Sequence, residues 1–229
     1  MRSETEEMFF RLSIVGARSN VLSLILLLTL LSIIDSDVMG GTGDRKSVVS
    51  SMESIVLVPV GPVDAGTLGY LESELPIQFQ VRVRVGPPLS MPRDAFDSKR
   101  RQFNSSRLLE QLFDSRRDVN ERWLGLTEAD LFVPTLNFVF GEADSGHRTA
   151  VISLARLREE FYHRKSDPAL LHQRALKEAV HELGHSYGLN HCSDFRCVMF
   201  FSNSLADTDR KSANFCEEHR KELESALKK

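Results

Sequence analysis

Three histidines and a glutamate fall close together in the segment HELGHSYGLNH: His181, Glu182, His185 and His191. Four residues along a helix turn about 400°, so His181 and His185 project from one face, about 6 Å apart in rise. Two imidazoles so placed can reach one ion. Glu182 lies about 100° round the helix, on the flank of that site. From there it can take a proton from water without being a ligand itself. Gly188 sits where the helix has to end. Glycine accepts positive φ without steric cost, so the chain can turn and bring His191 back to the same point. Three protein ligands leave a fourth position open for water, the arrangement of a catalytic zinc. Zinc so held lowers the pKa of water to about 7 and polarises a carbonyl. The chemistry expected is hydrolysis of a peptide or similar acyl bond, with Glu182 as general base and then general acid.

The spacing H-E-x-x-H-x-x-G-x-x-H arises by chance in on the order of one chain in 100,000 of this length, so histidines merely satisfied on a helix surface are a poor account of it. A second group lies just downstream. All three cysteines, Cys192, Cys197 and Cys216, follow the last of these histidines, and His219 follows them. An odd, clustered set is a poor disulfide framework for a chain this long. Among histidines it reads as metal ligation. Imidazole can replace thiolate at zinc, and three cysteines with one histidine are a common structural set. Cys192, Cys197, Cys216 and His219 are therefore expected to hold a structural zinc, making two zinc ions in all. His191 and Cys192 are neighbours, and in an extended segment their side chains point to opposite sides, so each can serve a different ion. The alternatives are a Cys192–Cys197 disulfide with a spare thiol, or a weak or empty site that His219 only approaches.

The first pattern is the metzincin signature. That group adds a methionine in a tight turn beneath the metal, and Met199, the only methionine after His191, is the candidate. With C-x4-C-x-M following the signature, the chain resembles the archaemetzincins, whose pattern ends in a C-x-x-C pair. Upstream, RQFNS at 101–105, LGLT at 124–127, LNFVFGEA at 136–143 and RLR at 156–158 are similar to stretches of that family. The resemblance covers Met52 to about Ala226. It implies a zinc metallopeptidase acting on a peptide or protein, and a metzincin-like mixed twisted sheet with an active-site helix and a small irregular C-terminal lobe. It also implies a second, structural zinc held by four cysteines, and His219 stands here in place of the last of them. By analogy with metzincins, Leu136 to Gly141 would be the cleft-edge strand to which an extended peptide adds. Tyr187, inside the signature, is assigned no role.

The elements that must position these residues read as α/β. Ile55 to Val60 is a continuous apolar run, expected for a strand covered on both faces. Val63 to Leu75 predicts a helix. Ile77 to Val85 alternates apolar and polar and predicts a half-exposed strand. Asn104 and Ser105 can cap a helix running to about Phe113. Short strands are expected at Asp130–Val133, Leu136–Phe140 and Ala150–Leu154. Asp167-Pro168 opens the helix that carries the signature to about Tyr187. The order is β-α-β-α-β-β-β-α.

A hydrophobic content of 41% and a charged content of 27% describe a globular chain. A net charge of −3 provides no strong field toward nucleic acid. Residues 196–229 hold seven Lys/Arg and six Asp/Glu, so a nucleic-acid-binding zinc module lacks its basic face. A zinc-loaded pseudo-enzyme that only binds peptides would have no need of Glu182. A monomer is expected, with no nucleic-acid partner. The apolar run Val21–Ile34 would span roughly 21 Å as a helix, short of a bilayer core of about 30 Å. Residues 1–51 are expected to be a leader or linker outside the fold, with translation beginning near Met52, and 52–229 to be a cytoplasmic catalytic domain. A signal or membrane anchor at 21–34 is the alternative.

Overall fold

The structure, a computed structural model, describes residues 53–228; the expected leader at 1–51 lies outside them. The first apolar run forms β1 (Ser54–Pro59), buried from Ile55 to Val58. It joins β2 (Arg82–Val85), β5 (Glu121–Thr127), β7 (Gly141–Asp144) and β8 (Thr149–Ser153) in a sheet ordered β2-β1-β5-β8-β7. All pairings are parallel except β7 with β8, which is antiparallel and places β7 at the edge. The sheet is mixed, as expected. A small second sheet, β3-β4-β6, is made of β3 (Phe96–Asp97), β4 (Gln102–Asn104) and β6 (Leu131–Phe132).

Strand alternation sorts the core into two faces. Ile55, Leu57, Leu124, Leu126, Ala150 and Ile152 face α1 (Ala65–Phe79) and α3 (Pro168–Ser186). Val56, Val58, Trp123 and Val151 face α2 (Ser105–Ser115) through Leu108 and Leu112. Each such aliphatic side chain contributes about 1.5–3 kcal/mol on burial. Gly125 lets α2 approach: a methyl group there would lie 2.8 Å from Leu112 Cδ1. Helix α2 starts where expected, with the Asn104 side chain accepting from Ser106 N at 3.0 Å. Helix α3 does too: Asp167 accepts from Leu170 N at 3.0 Å, and Pro168 opens the first turn.

Three expectations are corrected. The strand expected over Ile77–Val85 is only Arg82–Val85, because α1 runs on through Pro76 to Phe79 and ends at Gln80, φ 56°. Leu71, Leu75 and Phe79 are spaced four apart and all buried, so the helical period wins over the alternation that overlaps it. Leu136–Phe140 is not a strand; Val139 makes a single bridge to Leu131, and Leu136 N closes a turn on the Val133 carbonyl. The edge strand begins one residue later, at Gly141. Third, the expected order leaves out the central strand β5. Arg122 and Gly125 interrupt its apolar pattern, one buried against Glu53 and the other making room for α2.

Beyond Ser186 the chain forms the irregular lobe, with α4 (Leu205–Arg210) and α5 (Glu217–Ala226). Arg174 on α3 ties α4 down through both Asp209 oxygens, at 2.7 and 2.8 Å, and also donates to Glu159 and the Leu157 carbonyl. Among the described residues no helix is long and apolar enough to cross a membrane.

Candidate active site

Helix α3 delivers His181 and His185 one turn apart. Their Nε2 atoms lie 3.1 Å from each other, and His191 Nε2 lies 3.1 Å from that of His185. The third imidazole arrives by the turn expected: Gly188 has φ +89°, and Leu189 N returns to the Gly184 carbonyl at 3.1 Å. The other ring nitrogens define the tautomers. His181 Nδ1 is 2.8 Å from the Val198 carbonyl oxygen, and His185 Nδ1 is 2.8 Å from that of Leu189. Carbonyls only accept, so both Nδ1 atoms carry the proton and both Nε2 atoms present lone pairs. Burial, then Lys211, pushes His181 well below the usual histidine range. Burial likewise brings His185 down to about 4; at His191, which keeps an exposed edge, desolvation of the ring against the protein and then His185 bring it down to about 3. No proton is therefore held between these nitrogens near neutrality. Lone pairs facing one another at 3.1 Å repel unless a cation lies among them. Tetrahedral zinc with Zn–N near 2.0–2.1 Å separates its nitrogens by about 3.3 Å. The residues fit the metal.

Glu182 is buried, facing the first residue of β7. A methyl group on Gly141 would lie 2.5 Å from Glu182 Cγ, 2.7 Å from its Oε1 and 2.6 Å from the Val151 carbonyl oxygen. Glycine at 141 is what allows the carboxyl to lie against the edge strand. Burial, then Glu178, pushes the Glu182 carboxyl well above its usual range, with Lys211 opposing. Lys211 and Glu178 form a buried ion pair at 3.1 Å one helical turn before Glu182, and Thr208 Oγ1 also donates to Glu178 at 2.9 Å. Across β7, Glu142 accepts from Ser106 Oγ at 3.0 Å, and burial raises its carboxyl.

Met199 is wholly buried beneath α3, at the third position of a turn closed by Phe200 N on the Cys197 carbonyl at 3.0 Å. A methyl on Gly184 would lie 2.5 Å from Met199 Sδ, so the helix is notched to admit the thioether. The residue before Met199 supplies the carbonyl that orients His181.

The second group also converges. Ligand atoms of Cys192, Cys197, Cys216 and His219 all lie within 4.8 Å of one another. Cys192 Sγ is 3.9 Å from Cys216 Sγ, and His219 Nδ1 is 3.1 Å from Cys216 Sγ and 4.0 Å from Cys197 Sγ. Edges of a tetrahedral zinc with these ligands measure about 3.6–3.8 Å. All three thiols are free, so the expected alternative of a Cys192–Cys197 disulfide is not what the structure contains. Burial pushes the Cys197 thiol up to about 12. At Cys216 burial is outweighed by hydrogen bonding, first from the His219 backbone N–H and then within the cluster, which brings it down to about 7.

Sequence reasoning did not find four contributors: Gly141, Gly184, the Glu178–Lys211 pair and Arg122. Arg122 on β5 donates to the Ser186 carbonyl at the end of α3 and lies 3.6 Å over the Tyr187 ring. A cation there offsets the helix dipole. Tyr187 packs on Arg122 and on Phe79, consistent with its lack of an assigned role. None of the four has a spacing signal; each is defined by what approaches it in space.

The sequence profile of peptidase family M54 matches residues 70–225. The archaemetzincin of Pyrococcus abyssi is 44% identical over 182 residues, covering 77% of this chain and 97% of its own. The crystal structure of archaemetzincin from Methanopyrus kandleri superposes with a TM-score of 0.70 at 37% identity, covering 79% of this chain and 98% of that one. A zinc-dependent peptidase from Methanocorpusculum labreanum superposes with a TM-score of 0.68 at 29% identity, over 74% of this chain and 99% of its own. With a mixed sheet, a histidine-bearing helix and two convergent ligand sets already in place, the chain belongs to peptidase family M54, the archaemetzincins, and is a zinc metallopeptidase.

Proposed function

We propose that His181, His185 and His191 hold the catalytic zinc through Nε2, and that Glu182 is the general base and acid of peptide-bond hydrolysis. The observation that carries this reading is the pair of Nε2 lone pairs facing each other at 3.1 Å with both Nδ1 protons committed to carbonyls. A zinc held there would supply a Lewis acid able to polarise the scissile carbonyl and acidify water. Glu182 accepts a proton from the attacking water and returns it to the leaving amine. Its burial and its seat against Gly141 support that role by keeping bulk water from competing for the proton. The substrate is a peptide or protein, and the edge of β7, unpaired among the described residues, supports an extended chain added as a further strand. Turnover of a peptide library should vanish on chelation and return with added zinc. Peptides that bind the zinc-loaded protein without being cleaved would overturn the catalytic reading.

The second zinc is assigned to Cys192, Cys197, Cys216 and His219 as a closed structural site. Its ligands come from two loops and α5, so the metal would cross-link segments distant in sequence and add to the packing of Val198, Met199, Phe215 and Leu223. Cys216→Ser should lower the zinc content from two per chain to about one and depress the melting temperature. Wild-type protein with one zinc per chain, never exposed to chelator, would remove this site and leave the catalytic one standing.

The catalytic domain is assigned to residues 52–229. That fragment should express as a soluble, zinc-loaded protein; aggregation with loss of metal would place residues 1–51 within the fold. Free thiols suit a reducing compartment, which supports a cytoplasmic location. A monomer is proposed, and a net charge of −3 supplies no strong field toward nucleic acid.

A further inference from the structure

An imidazole at position 219 brings a second nitrogen that a cysteine would lack. His219 is buried, and its two nitrogens face different partners. Nδ1 looks into the thiol cluster, 3.1 Å from Cys216 Sγ, while Nε2 lies 3.0 Å from the Asn190 carbonyl oxygen. Because that oxygen only accepts, Nε2 carries the proton and Nδ1 offers its lone pair to the cluster. Asn190 is the residue before His191. The carbonyl before it, that of Leu189, receives His185 Nδ1–H at 2.8 Å. Two consecutive carbonyls of the segment that presents His191 are thus each held by an imidazole N–H, one from α3 and one from α5. The segment follows Gly188, at φ +89°, and Asn190 and His191 are both exposed. Leu189, buried in the core, and Cys192 N, bonded to the Met199 carbonyl at 2.9 Å, anchor the segment on either side; between these anchors the His219 bond holds the exposed Asn190 peptide.

We propose that His219 is a positioning residue for the catalytic metal, joining the two metal centres through one ring. A cation at Nδ1 withdraws charge from the imidazole and strengthens Nε2–H as a donor, as it does when a ligating histidine is bonded to a carbonyl. The bond to Asn190 then fixes the segment carrying His191. Zinc in the cysteine cluster therefore tightens zinc binding at the three histidines, and by linkage the reverse holds. This rests on the reading of the cluster as a zinc site.

The test is His219→Cys in the full chain. A thiolate restores a four-ligand set but has no N–H for Asn190. Two zincs per chain should remain, while affinity for the catalytic zinc, read by chelator competition, falls about 10-fold. Two zincs with unchanged catalytic-site affinity would overturn the proposal alone. One zinc in the wild type would overturn the cluster reading and this proposal with it. Should the variant fold poorly, the wild type decides. With spin-active cadmium in the cluster and nitrogen-labelled histidine, cadmium should couple to His219 Nδ1, and Nε2 should carry a slowly exchanging proton. Coupling at Nε2 instead would overturn it.

Discussion

Glu182→Gln should keep the catalytic zinc and lose turnover by roughly 100- to 10,000-fold, the usual worth of a positioned general base. The amide has the shape of the carboxyl and fits the same space against Gly141, so the change removes the proton acceptor and little else. The metal should stay because His181 and His185 are oriented by the Val198 and Leu189 carbonyls, neither of which involves Glu182. Stability should not fall, since a buried carboxyl gives way to a neutral group in the same place. Zinc content, melting temperature and kcat/KM on one cleaved peptide are the three readouts. A variant that cleaves about as fast as wild type would exclude Glu182 as the base. Lost activity accompanied by lost zinc would make Glu182 a determinant of metal binding instead.

The residues that converge on the two ligand sets were legible because their constraints are local. His181 and His185 need one helical turn, and Gly188 needs a positive φ; both are written in adjacent positions. The caps at Asn104 and Asp167 are equally local. What was not legible depends on distant chain. The alternation from Ile77 to Val85 is consistent with a strand, and only the burial of Leu71, Leu75 and Phe79 against α3 and Phe215 commits the first part of it to α1. In β5 the sequence offers a charged residue and a glycine where a central strand should be apolar. Both are explained by partners far away in sequence: Ser186 and Glu53 for Arg122, and Leu112 for Gly125. The edge strand reads Gly-Glu-Ala-Asp, with no apolar alternation, because its four residues are all half-buried and one must be small.

The same shortage of local signal hides how the two ligand sets share their scaffold. Cys192 N donates to the Met199 carbonyl at 2.9 Å, and Val198 N to that of Asn214 at 2.9 Å. The strip from Cys197 to Met199 therefore carries, in consecutive residues, a cluster thiol, the carbonyl that orients His181, and the thioether under α3. A pattern of spacings gives the order of these residues but not that the carbonyl between them is the functional atom.

Gly141→Ala should cost activity on the order of 100-fold or more while leaving zinc bound. A methyl group at 141 meets the Val151 carbonyl at 2.6 Å and Glu182 Cγ at 2.5 Å. The first is backbone of the neighbouring strand β8, paired with β7 through Gly141↔Ile152 and Glu142↔Val151, and cannot yield without opening the sheet edge. The second is the buried side chain proposed as the base, whose position would set the geometry of proton transfer. Either Glu182 moves or β7 does, and a misplacement near 1 Å at a catalytic group is enough for about a 100-fold loss. Overpacking of this kind also lowers stability by about 1–3 kcal/mol. The histidines are held from the other side, by carbonyls of 189 and 198, so zinc content should be unchanged. That separates this variant from one that merely unfolds, in which zinc and activity would fall together. Wild-type turnover in Gly141→Ala, with its zinc intact, would mean that the contact between Glu182 and the edge strand does not position the base.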